Sequence, residues 1–321
     1  MTNSRKALVL GASGGIGGET AAALVRHGWQ VIAMARDTTR RGRGGAEHYA
    51  GIEWVQGDAM VAADTLRAAK GVDVIVHAVN PPGYHNWRGL VLPMVDNSIA
   101  AAKQVGARIV VPGGLYNYGY DAFPLVREDA PQHPVTEKGR IRAALDLRLK
   151  AGSRDGAPAL MVCFGDFFGP VPGGNWFEAM VKPGTRAASI TYPGKKGVGH
   201  SWAYLPDAGE AIARLLDREE ELADFDRFNF EGIWDPDGTA MIDAIKVGLG
   251  RPEIKVKPLP WWLLGVAGLV QETPREIWKM RYLWRHPVRL DNRKLVAFLG
   301  EEPHTLLREA VRRTLAGLHI R

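Results

Sequence analysis

Residues 7–18 read ALVLGASGGIGG: an apolar strand pattern runs directly into three spaced glycines, Gly11, Gly14 and Gly17, and then into a helical pattern. Few local patterns restrict a fold as strongly. The first glycine permits a tight turn, the second lets the backbone approach a bound group, and the third lets the helix pack closely on the strand. N–H groups at the helix start lack an intrahelical acceptor and face an anion. Strand, glycine turn and helix in this order imply a βαβ unit that receives the pyrophosphate of a dinucleotide. Its contacts would be Gly11, Ser13, Gly14, Gly15, Ile16 and Gly17.

The rest of the first half continues that plan. Ala7–Leu10, Val31–Ala35, Glu53–Val55, Asp73–His77, Arg108–Val111 and Ala159–Cys163 read as strands, alternating with helical stretches at Gly17–His27, Ala62–Ala69, Pro93–Val105 and Lys138–Ala151. Such alternation predicts an α/β fold of the Rossmann type, a doubly wound parallel sheet covered by helices on both faces. After Gly169 the texture turns to Gly- and Pro-rich loops, then Trp202–Leu205 reads as a return strand and Asp207–Asp217 as a helix with an acidic N-cap. Residues 1–170 are expected to form the core, with 200–230 returning to it. Residues 171–199 and 231–321 are expected to form a smaller C-terminal α/β substrate lobe.

Composition excludes several classes. The one cysteine, Cys163, allows neither an internal disulfide nor a cysteine-based metal site, so no metal and a reducing cytoplasm are expected. The most apolar late stretch, Trp261 to Val270, is about half the ~20 residues of a membrane span. It reads as a buried or cleft-lining helix, and no membrane partner is expected. The net charge of +6 is spread, with one cluster at Arg36, Arg40, Arg41 and Arg43 and no nucleic-acid-binding motif. An anionic cofactor and a solvated surface account for it without nucleic acid.

The glycine spacing, and the motifs that follow in order, resemble the short-chain dehydrogenase/reductase superfamily. Gly57-Asp58 follows the third strand, DVIVHAVN spans 73–80, and Leu115-Tyr116-Asn117-Tyr118-Gly119 resembles the V-Y-G segment of the extended members. Phe164–Pro170 and His200–Asp207 resemble their later loops. The chain is most similar to atypical extended members grouped as NAD-dependent epimerases/dehydratases. That resemblance implies cofactor contacts at Asp58, Ala59, Ala78, Val79, Asn80 and Pro112, and at family level a homodimer.

Cofactor choice is read at the end of the second strand. Arg36 stands there, with Asp37 next. A guanidinium suits a 2′-phosphate, with Arg40 or Arg41 assisting, and NADP(H) is therefore expected over NAD(H). Asp37 serving a 2′-hydroxyl is the alternative.

The catalytic pattern departs from the family. Its Tyr-x-x-x-Lys and Ser/Thr would align with Thr136, Arg140 and Gly114. Thr136 can polarise but is a poor acid, and Arg140 could still hold ribose. Thr136 could equally cap a helix, and Lys138 would point about 100° away from it. Tyr116, at the end of the fifth strand, and His85, in the loop after the fourth, are the replacement proton carriers. Tyr84, His85, Trp87, Tyr116, Asp166, Phe167, Phe168, Trp176, His200 and Trp202 would line the substrate cleft, whose aromatic character suggests an apolar or aromatic small molecule. Two activities are consistent with this. One is an NADP-dependent oxidoreductase or epimerase-like enzyme acting on a carbonyl or alcohol. The other is an NADP-binding redox sensor without turnover.

Overall fold

The apolar runs of the first half become neighbouring strands of one parallel sheet. The computed structural model describes residues 4–39, 45–81 and 86–321; Arg40, Arg41, Arg43, Tyr84 and His85 lie outside the described residues. Strands are numbered along the chain. The main sheet contains β1 (Lys6–Leu10), β2 (Gln30–Ala35), β3 (Ile52–Gln56), β4 (Val74–His77), β5 (Arg108–Gly113), β7 (Ala159–Cys163) and β11 (Phe225–Asn229). Its seven strands run in the order β3-β2-β1-β4-β5-β7-β11, every pair parallel. Strands buried on both faces must be apolar throughout, which is why β4 and β7 carry no alternation.

Helices cover both faces. On one lie α1 (Gly15–Arg26), α7 (Leu205–Asp217) and α11 (Arg293–Leu299); on the other lie α3 (Ala62–Ala68), α4 (Trp87–Val105) and α5 (Glu137–Arg154). The short α2 (Gly45–His48) precedes β3. The chain order reverses beside β1, between the β2 and β4 sides, and that switch point opens the crevice where such sheets bind ligands.

A second apolar cluster forms the smaller lobe. It is built on β8 (Asp166–Phe168), β10 (His200–Tyr204) and β12 (Ile233–Asp235), with β9 (Ile190–Tyr192) paired to β13 (Val256–Pro258). The helices α6 (Trp176–Met180), α8 (Ala240–Gly248) and α12 (Leu307–Gly317) pack on it. A hairpin of α9 (Trp261–Ala267) and α10 (Glu272–Lys279) stands at its side, and β6 (Leu125–Val126) pairs with β14 (Arg289–Leu290).

Several expectations are corrected. The strand at 202–205 is β10, which pairs with β8 and β12 in the lobe; the strand that returns to the main sheet is β11. Asp207 does not cap α7. Tyr204 holds the cap position, and the Asp207 carboxylate accepts bonds from the Thr305 amide (2.6 Å) and hydroxyl (2.7 Å). No residue of α9 is buried, although the stretch reads as a buried helix: only one of its faces meets the lobe.

One buried ion pair ties the parts together. Asp146 of α5 accepts from Arg227 of β11, from Gln132 (2.6 Å) and from Asn117 (3.0 Å). Arg227 also donates to the Tyr118 hydroxyl at 3.3 Å. Burial drives the Asp146 carboxyl up despite Arg227, and it pushes the Cys163 thiol up to about 12. Removing one member of a buried pair leaves an uncompensated charge, which costs about 3–5 kcal/mol. Asp146→Ala is therefore expected to lower urea-unfolding stability by about that amount. A loss under about 1 kcal/mol would contradict the role given to the pair.

Candidate functional site

The C-terminal edge of the main sheet opens into a cavity of about 1210 Å³. Its first wall is the glycine turn. Gly11 has φ +90°, and a Cβ there would stand 2.6 Å from the Ala78 carbonyl oxygen. A Cβ at Gly17 would stand 2.3 Å from the Gly11 oxygen. Both positions therefore exclude a side chain, and the turn lies directly on the end of β4. The Gly14 amide donates to Gly11 (3.0 Å), and α1 begins with no side-chain cap and no acidic residue in its first turn. Gly11, Ser13, Gly14, Gly15 and Ile16 line the cavity, while Gly17 lies buried beneath them. A helix start left without a cap fits an anion.

Arg36, Asp37, Asp58, Ala59, Ala78, Val79, Asn80 and Pro112 continue the lining. One Asp37 oxygen is engaged locally, accepting from the Thr39 amide (3.0 Å) and hydroxyl (2.6 Å). His77, at the end of β4, has its Nδ1 2.8 Å from the Ser98 hydroxyl, and burial pushes its imidazole down to about 3. It is neutral throughout the physiological range.

The residue that α5 turns toward the cavity falls in a different register from the one the sequence suggests. The Thr136 hydroxyl accepts from the Gly139 amide at 3.1 Å and caps α5. Neither Thr136 nor Arg140 lines the cavity, and Arg140 is exposed. Two residues further on, Lys138 and Arg142 repeat the four-residue spacing, both beside Trp87. Arg142 lines the cavity and donates to Asn80 Oδ1 at 3.3 Å. Lys138 is 2% exposed, with its Nζ 3.5 Å from Glu276 of α10. Both cations lie 5.2 Å from the centroid of Trp87. Burial pulls the Lys138 ammonium down to about 8, against the upward pull of Glu276. Gly139 fixes this register: a Cβ there would stand 2.1 Å from the Tyr116 carbonyl oxygen, so the helix start rests on the backbone after β5.

Gly114 lines the cavity, and a Cβ there would meet nothing within 4 Å. Tyr116 lines it too, its ring 6.3 Å from Trp87. Tyr118 is buried, and its phenol is held far above the ordinary value by burial, which removes it from proton transfer near neutral pH.

The far end is less aromatic than the sequence suggests. Asp166, Phe167, Trp176 and His200 line it, whereas Trp87, Phe168 and Trp202 are core residues behind the wall. Asn117 and Asn175 add hydrogen-bonding groups. His200 Nε2 lies 2.9 Å from Asp166 Oδ2, and its ring stacks on Trp284 at 3.7 Å and 10°. This pair spans two strands of the lobe and carries no motif that announces it. No group of three or more His, Cys, Asp or Glu residues able to hold a metal occurs among the described residues.

Residues 11–146 match the family model described as NAD(P)H-binding. No curated protein matches the sequence. Solved structures match it end to end. MoeE5 in complex with UDP-glucose and NAD has a TM-score of 0.75 at 17% identity, over 98% of each chain. The Bordetella bronchiseptica enzyme WbmH in complex with NAD+ has a TM-score of 0.71 at 19% identity, over 99% of each. UDP-N-acetylglucosamine 4-epimerase from Bacillus cereus has a TM-score of 0.74 at 16% identity, over 98% of this chain and 99% of that one. The chain thus contains an NAD(P)H-binding domain on the fold of the extended short-chain dehydrogenases/reductases. The resemblance carried by its motifs holds at the level of that fold.

The two α5 registers make different predictions. A charge-assisted hydrogen bond contributes about 1.5–3 kcal/mol, so Arg142→Ala is expected to weaken NADPH binding roughly ten- to hundredfold. Arg140→Ala should leave it nearly unchanged. Fluorescence titration of the reduced cofactor decides; a larger loss from Arg140→Ala would restore the other register.

Proposed function

We propose that the protein is an NADP(H)-dependent oxidoreductase or epimerase-type enzyme acting on a carbonyl or alcohol of a small organic molecule. The observation that carries this is the continuity of the cavity from the glycine turn to Asp166 and His200. At about 1210 Å³ it exceeds the ~300–1,000 Å³ that ordinarily holds one small ligand. There is room for a dinucleotide and a second molecule beside it.

NADP(H), when bound, supplies the hydride chemistry. The chain's own groups position and exclude. The turn Gly11–Ile16 takes the pyrophosphate, Asp58 and Ala59 flank the adenine, and Arg36 takes the 2′-phosphate. Thr39 already occupies one oxygen of Asp37, which supports NADP over NAD. Arg142 takes the ribose role that the sequence assigns to Arg140, beside Ala78, Val79, Asn80 and Pro112. Tyr116 carries the proton to or from the substrate oxygen; His85, outside the described residues, is the other candidate. Asp166, Asn175 and His200 orient the substrate, with Phe167 and Trp176 against its apolar part. Arg36 and Arg142 are the only Lys or Arg among the described lining residues. With both assigned to the cofactor, no lysine or arginine among the described lining residues is left to clamp a second diphosphate, which favours a small substrate over a nucleotide sugar.

A second activity, redox sensing without turnover, draws on a specific observation: no hydroxyl stands at Gly114, and α5 presents Arg142 rather than a phenol to the cavity. Two measurements separate these. NADPH should bind more tightly than NADH in parallel titrations; equal or reversed affinity removes the Arg36 argument. Purified protein with NADPH should turn over at least one member of a panel of aldehydes, ketones and enones, and Tyr116→Phe should depress that rate. Tight NADPH binding with no turnover across the panel would select the sensor.

A further inference from the structure

The α9–α10 hairpin has two unlike faces. Inward, the Trp261 indole donates to the Pro193 carbonyl at 2.8 Å, and its ring lies 5.8 Å from Trp176. Gly265 packs on α10, where a Cβ would stand 3.0 Å from Trp278 Nε1. Outward, Trp262, Leu263 and Val266 form one helical stripe, and Leu269 and Val270 extend it into the turn. Their exposures are 69%, 47%, 60%, 81% and 85%. The other exposed large apolar residues that the structure describes occur singly or as adjacent pairs along the chain, as on any soluble surface. Five within nine residues form a patch of the kind that marks an interaction site.

The sequence that flanks the patch is cationic. Residues 261–270 carry no charge, and the flanking parts of 255–285 carry Lys255, Lys257, Arg275, Lys279, Arg281 and Arg285 against two glutamates. One of those, Glu276, is buried and shared by Lys138, Lys279 and, at 3.7 Å, Arg275. Arg275 is placed at the patch itself: a Cβ on Gly268, beside Leu269, would stand 2.7 Å from its Cα.

We infer that this face docks on a membrane surface rich in anionic headgroups. An uncharged stripe with a tryptophan, bracketed by lysine and arginine, matches an interfacial segment: the apolar groups enter the headgroup boundary and the cations meet the lipid charge. The net charge of +6 adds long-range attraction. At seven residues α9 is far short of a span, and no helix among the described residues is long and apolar enough to cross, so the contact is peripheral. The inference does not depend on the proposed reaction.

The test is vesicle co-sedimentation with the full chain. Vesicles of phosphatidylglycerol and phosphatidylcholine should bind it, and pure phosphatidylcholine or high salt should weaken binding by at least about tenfold. Trp262→Glu with Leu269→Glu should abolish binding while NADPH affinity stays unchanged, which also shows that the variant is folded. If that variant does not fold, Arg275→Glu with Lys257→Glu should reduce anionic-vesicle binding on its own. No binding to anionic vesicles, or equal binding to neutral ones, overturns the inference. A dimer in light scattering that Trp262→Glu with Leu269→Glu splits, without vesicle binding, also overturns it and assigns the face to a second copy.

Discussion

The site depends first on one backbone contact. Gly17 sits so close to the Gly11 carbonyl that no side chain fits between them, and Gly11 itself lies on the end of β4. That contact brings α1 down onto the sheet at the switch point and leaves its first N–H groups directed into the crevice. A substitution at either glycine would lift the helix start away from the strands. The remaining lining residues follow from it, because parallel strands place every following loop at the same edge. Arg36, Asp58, Asn80 and Gly114 come from four loops and Asp166 from the start of β8, and all still share one cavity.

The second determinant is electrostatic. At its start α5 presents Lys138 and Arg142 around Trp87. Two cations on one ring would repel each other, and the lobe answers with Glu276 beside the more buried of them. The arrangement divides labour. Arg142 reaches the cavity and suits a ribose or phosphate, whereas Lys138 joins α5 to the lobe. Tyr116 is the phenol among the described lining residues. Tyr118, only two residues on, is committed to Arg227 and the buried Asp146.

The parts of this that are legible in the sequence are those with short-range physical causes. The glycine turn, the six apolar runs and the arginine after β2 all announce themselves through spacing and residue type. The cavity-facing register of α5 does not, because a four-residue spacing fits Thr136/Arg140 as well as Lys138/Arg142. The usable signal was Gly139, a helix-start glycine whose close approach to Tyr116 exists only in three dimensions. For the same reason the contact between Asp166 and His200, 34 residues apart, is not legible, although each residue lies in a segment that the sequence places at the cleft. Aromatic residues misled in both directions. Phe168 and Trp202 read as cleft and are core, whereas Trp262 reads as buried and is 69% exposed. Hydrophobicity alone does not say which side of a helix has a neighbour.

The central claim is that an intact dinucleotide cleft is combined with a helix that turns Arg142, not Arg140, toward it. A crystal structure of the protein with bound NADPH tests it most directly. The account predicts the pyrophosphate on the amides of Gly11–Ile16, the 2′-phosphate at Arg36, and the nicotinamide ribose within hydrogen-bonding distance of the Arg142 guanidinium. A cofactor whose ribose is held by Thr136 or Arg140, with Arg142 turned away, would contradict it.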